Sequence, residues 1–94
     1  MEILWRASAL NDLEAIRDFI AQDNQRAAAR VPASIQAAVD RLAQYPNLGR
    51  EGRVEGTREL VIANAPYLVA YRVVEDEVRI LAVIHTSRQW PRRF

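Results

Sequence analysis

Ninety-four residues, 50% apolar and 27% charged, describe one globular domain spanning 1–94, with no room for a second core. With no cysteine and a single histidine, disulfides, thiolate metal sites and histidine metal clusters are excluded, and no metal or cofactor is expected. No apolar run reaches the length of a membrane span and the N-terminus lacks the regions of a signal peptide, so the expected location is the cytoplasm, away from membranes.

Residues Glu2 to Arg6 alternate as a first strand, with Ile3 and Trp5 on one face. Ser8 is the expected N-cap of a helix whose early Asp12 and Glu14 suit its dipole. Leu10, Leu13, Ile16, Phe19 and Ile20 recur at helical spacing and give that helix one apolar stripe. Asp23-Asn24 breaks the pattern. A second helix runs from about Gln25 to Gln44 with Ala28, Val31, Ile35, Val39 and Leu42 inward. Pro32 removes a donor from that helix and predicts a kink or a restart there. The many alanines allow the two helices to pack closely as a hairpin.

Tyr45-Pro46-Asn47 ends the second helix, and Leu48 to Glu55 reads as a charged loop carrying Arg50 and Arg53. Three strands follow, roughly Thr57–Ile62, Tyr67–Val74 and Val78–His85, joined by turns at Asn64-Ala65-Pro66 and Glu75-Asp76. The order β-α-α-β-β-β predicts an α+β fold, a helical hairpin on one face of a small, mostly antiparallel sheet.

A two-residue turn at Glu75-Asp76 would set Arg72 opposite Arg79, Ala70 opposite Leu81 and Leu68 opposite Val83. It would set Val73 with Val78, Tyr71 with Ile80 and Val69 with Ala82 on the uncharged face that takes the helices. Directly opposed arginines are destabilising, and either a nearby Glu75 or Glu77 or a bound acid would relieve them. The second possibility makes the first face a groove for an acidic, amphipathic partner segment. Leu68, Ala70, Leu81 and Val83 are its floor, Arg72 and Arg79 its clamp, and His85 lies near the far end. Net charge of +1 is no argument for nucleic acid. All 13 basic residues are arginine, for which a GC-rich genome is the first explanation and a need for guanidinium forks the second, and the count alone does not separate them.

Three segments carry a resemblance: Gly56-Thr57-Arg58-Glu59-Leu60, Pro66 to Arg72, and Ile80 to Pro91 with His85, Arg88, Trp90 and Pro91. In order and at this length they resemble the RelE/ParE toxins of type II toxin–antitoxin systems, over essentially the whole chain. The resemblance implies a cognate antitoxin whose C-terminal segment wraps the toxin. It also implies one of two targets. RelE-like members cleave mRNA on the ribosome, and ParE-like members poison DNA gyrase.

The RelE-like apparatus is mostly missing here. Aligned on Tyr71, its basic second-strand positions read Glu59 and Val61, and its third-strand arginine position reads Leu68. Arg88 matches the C-terminal arginine, while the terminal tyrosine position holds Phe94. His85 with Arg88, Arg58 and Glu59 is the remaining nuclease set, since some other members use histidine and glutamate. The GTREL segment and the ending from His85 to Trp90-Pro91 look more like the ParE branch. That reading needs no catalytic residue, and Arg58, Arg88, Trp90, Arg92 and Arg93 become contacts to gyrase.

Overall fold

The computed structural model describes residues 1–87. Its elements are β1 (Glu2–Trp5), α1 (Ala7–Ala21), α2 (Gln25–Asp40), a 3-10 turn (Arg41–Ala43), β2 (Arg50–Glu51), β3 (Arg58–Val61), β4 (Tyr67–Val74) and β5 (Glu77–His85). The five strands form one sheet in the order β1-β5-β4-β3-β2. β1 lies parallel to β5 and every other pair is antiparallel. This is the expected α+β architecture, with one strand more than the sequence suggested. Arg50 and Glu51, read as loop, pair with Glu59 and Arg58 as a short edge strand.

The main core lies between the sheet and the helical hairpin. Leu13, Ile35, Val39 and Leu42 meet Leu60, Val69, Tyr71, Val78, Ile80 and Val83, with Ile3 and Trp5 packed alongside. The inward residues of α2 are as expected, but the stripe of α1 is narrower. At about 100° per residue, Leu10 and Phe19 each stand about 90° off the line through Ala9, Leu13, Ile16 and Ile20. They remain 48% and 65% exposed.

The expected N-cap of α1 and the expected restart within α2 are both absent, for local reasons. Ser8 is not the N-cap: the Arg6 N–H donates to the Ile80 carbonyl as the last act of the β1 ladder, and the helix starts at once behind it. Pro32 does not restart α2, which runs unbroken through it. One missing backbone bond is a local cost, set against Ala28, Ile35 and Val39 buried on either side. Asn24, where the pattern broke, is the true cap of α2. Its side-chain oxygen accepts from the N–H groups of Arg26 and Ala27 at 3.1 and 3.2 Å.

The β4–β5 hairpin begins as expected and then slips. Val74, Val73, Arg72 and Tyr71 face Glu77, Val78, Arg79 and Ile80, with Glu75 at φ 57 in the turn. A bulge at Ala70/Tyr71 then inserts Leu81, so Ala70 faces Ala82, Val69 faces Val83, Leu68 faces Ile84 and Tyr67 faces His85. An extra residue reverses the facing of everything beyond it. Val83 therefore joins the helix-side core, and Ala82 and Ile84 take the places expected for Leu81 and Val83. His85, opposite Tyr67, also moves to the helix side.

Below the hairpin, Tyr71 ties the core to the segment before β2. Its hydroxyl donates to the Pro46 carbonyl at 2.7 Å and accepts from the Gly49 N–H at 2.9 Å. A Cβ at Gly49 would stand 2.7 Å from that ring, so only glycine allows the approach.

Candidate functional site: the outer edge of β5 and the two sheet faces

β5 outlasts its parallel neighbour. β1 covers Glu77 to Ile80, and beyond Ile80 the outer edge of β5 has no strand beside it among the described residues. Helix α1 takes over that edge with side chains. The Ser8 hydroxyl donates to the Leu81 carbonyl at 3.2 Å, and the Asp12 carboxylate accepts the Val83 N–H at 3.0 Å. The spacing works because four helical residues rise about 6 Å while two strand residues rise about 6.6 Å. The next residue in the helical series is Ile16, which has no polar atom. Since Thr86 donates to Pro66 in the hairpin ladder, Tyr67 and His85 form a non-bonded pair. The Val83 carbonyl and the His85 N–H and carbonyl therefore point outward, with no partner among the described residues.

A cleft of about 440 Å³ opens where this capping stops. Asp12, Ala15, Ile16 and Phe19 of α1 form one wall, and Tyr67, Val83, His85 and Ser87 the other. The His85 ring meets Tyr67 edge-on, with centroids 5.3 Å apart at 87°. Its Nδ1 accepts from the Ser87 N–H at 3.1 Å and lies 2.7 Å from the Ser87 hydroxyl. An amide N–H can only donate, so the neutral ring carries its proton on Nε2. His85 thus fixes the turn after β5 by accepting the Ser87 amide.

The face of the sheet away from the helices differs from the expected groove. Leu68, Ala70, Arg72 and Arg79 do share it, but Val83 is in the main core and Leu81 is the bulge residue. Leu68 is 1% exposed and Ala70 0%, so both are already covered within the chain and leave no open floor. The opposed arginines are also relieved internally. Arg79 pairs with Glu77 at 3.0 Å, and Arg72 reaches the Glu55 carbonyl at 3.4 Å.

Among the described residues, Arg58, Glu59 and His85 of the nuclease set do not come together. Arg58 faces the helix side opposite Tyr71 and donates to the Gly49 carbonyl at 2.8 Å. Glu59 faces the other way. Its side chain is 1% exposed and bonds the Arg50 guanidinium at 3.0 and 3.2 Å and the Arg53 N–H at 2.8 Å. His85 sits two strands from Arg58 and four residues along, about 13 Å at 3.3 Å per residue. Arg88, Trp90, Arg92 and Arg93 lie outside the described residues. Among the described residues there is no cluster fit for a metal and no helix long and apolar enough to cross a membrane.

Sequence reasoning missed Asp12 as the staple of β5, Phe19 as an exposed wall, and Arg50 with Arg53 as the partners of Glu59. Ser8 and Asp12 share a helical face four residues apart, and Phe19 sits off the apolar stripe. Both signals were present.

A five-stranded sheet with a helical hairpin on one face, its β5 edge capped by helix side chains and a cleft of mixed polar and apolar lining beside it, makes this a small α+β domain. The sequence profile of the ParE toxin of type II toxin–antitoxin systems, parDE, matches residues 3–90, and the chain belongs to this ParE/RelE toxin family. It is 51% identical over 89 residues to the Y4kP protein of Sinorhizobium fredii, covering 95% of this chain and 92% of that one. It is 39% identical over 87 residues to toxin RelE2 of Caulobacter vibrioides, covering 93% and 97%. A solved structure of a chromosomal ParDE toxin–antitoxin system from P. aeruginosa superposes with a TM-score of 0.85 at 30% identity, over 90% of this chain and 95% of that one.

Proposed function

We propose that this toxin acts in the cytoplasm as a ParE-type poison of DNA gyrase. The observation that carries the reading is the fate of Glu59. A carboxylate buried against Arg50, on the opposite face from Arg58 and far from His85, is not available for proton transfer to an RNA hydroxyl. The positions where RelE-like members carry strand cations hold Glu59, Val61 and Leu68. A binding poison needs none of these groups. Arg58, Arg88, Trp90, Arg92 and Arg93 remain the proposed contacts to gyrase.

The same reading includes neutralisation by an antitoxin, docked at the cleft beside α1. An extended segment there meets the Val83 carbonyl and the His85 N–H, which have no partner among the described residues, and lays alternate apolar side chains against Ile16 and the exposed Phe19. The covered Leu68 and Ala70 disfavour the groove over Arg72 and Arg79 for that role.

Pulse-labelling after induction tests the target. An early fall in thymidine incorporation with leucine incorporation holding supports gyrase. An early fall in leucine incorporation instead supports ribosome-dependent mRNA cleavage, the second reading, which the name of the Caulobacter relative favours.

A further inference from the structure

A second cleft, of about 420 Å³, lies between the middle of α2 and the turn from β3 to β4. Arg30, Val31 and Ser34 line one side, and Ala63, Asn64 and Ala65 the other. Arg30 and Ser34 stand four residues apart and so share a face of α2. Asn64 is held at φ 61, a left-handed conformation that asparagine tolerates better than most residues. A serine inside a helix commonly turns its hydroxyl onto the carbonyl four residues earlier. Ser34 makes no such bond, and the side chains of Arg30 and Asn64 also have no partner among the described residues. No aspartate or glutamate lines the cleft, so the charge of Arg30 is not consumed there.

We infer that this cleft binds one carboxylate, carried by an acidic side chain of a partner protein. The guanidinium of Arg30 offers two parallel N–H groups to a carboxylate, the geometry it matches best. The Ser34 hydroxyl and the Asn64 amide have donors for the remaining lone pairs, while Val31, Ala63 and Ala65 form the apolar walls. Charge decides between carboxylate and phosphate. One lining cation balances one negative charge, whereas a phosphate monoester carries about −1.5 to −2 at neutral pH.

The test is an NMR titration of the whole ¹⁵N-labelled chain with sodium acetate, against sodium chloride at matched ionic strength. Saturable shifts at Arg30 Nε and the amides of Ser34 and Asn64 are expected with acetate alone. Arg30→Gln is expected to weaken acetate about tenfold, the equivalent of about 1.4 kcal/mol. Arg26→Gln, one turn earlier on α2 and outside the cleft, makes the same charge change and is expected to leave the affinity unchanged. Shifts that grow linearly without saturation, or an equal loss in both variants, would overturn the site. Tighter binding of inorganic phosphate than of acetate would overturn the carboxylate assignment.

Discussion

Asp12 and Val83, 71 residues apart in sequence, are joined by a 3.0 Å hydrogen bond from a strand amide to a helix carboxylate. This bond and the Ser8–Leu81 bond seat α1 along the edge of β5 and decide where the open cleft begins. Asp12→Ala leaves the Val83 N–H without its acceptor and is expected to cost about 1–3 kcal/mol. Asp12→Asn keeps an acceptor oxygen and should lose less. Urea unfolding of the three proteins checks the order.

Tyr71 joins fold stability to alkaline pH. Burial raises its pKa above the ordinary 10.0, although the Gly49 N–H and the charge of Arg58 pull the other way. Below pH 10 the phenol is protonated in both folded and unfolded chains and contributes no pH dependence. Above it the unfolded chain loses the proton first, so stability falls until the folded pKa is passed. Tyr71→Phe should flatten this fall above about pH 10, read as the urea midpoint at each pH. At neutral pH the same variant should cost about 1–3 kcal/mol, because the Gly49 N–H loses its partner.

Glu59 is expected to behave as a structural acid. Arg50 is 57% exposed along its side chain and can rehydrate, so Glu59→Ala should cost about 1–3 kcal/mol, less than breaking a fully buried pair. Toxicity per folded molecule should be unchanged in Glu59→Gln. Growth arrest measured against soluble toxin level separates the two effects, and a loss of toxicity at equal level would restore Glu59 to a catalytic role.

Phe19 and Arg72 divide the two candidate antitoxin surfaces. Phe19→Asp is expected to weaken antitoxin binding by about 2 kcal/mol or more, as removal of an aromatic anchor does. Arg72→Glu with Arg79→Glu should change it far less. Calorimetric titration at low and high salt measures both, and the reverse order would return the antitoxin to the face away from the helices.

The fold was readable where periodicity was strong. Ile35, Val39 and Leu42 recur on one helix face, and the apolar run from Tyr67 to Tyr71 is buried throughout. Leu81 shows what was not readable. A bulge adds one residue without any local turn residue to announce it, and that residue moves Val83 and His85 to the other face. The candidate site suffered most, because it lies beyond the bulge. Arg50 and Glu51 were missed for a different reason, since a two-residue edge strand has no period to detect. The burial of Glu59 depends on Arg50 arriving from that strand, so it too was invisible in the sequence.

The most direct test of the central claim is purified toxin with gyrase, ATP and supercoiled plasmid, quenched with detergent and protease. Linear plasmid is expected to accumulate with toxin dose, and mRNA to stay intact when the same preparation is added to translating ribosomes. Cleaved mRNA on the ribosome with no linear plasmid would contradict the claim.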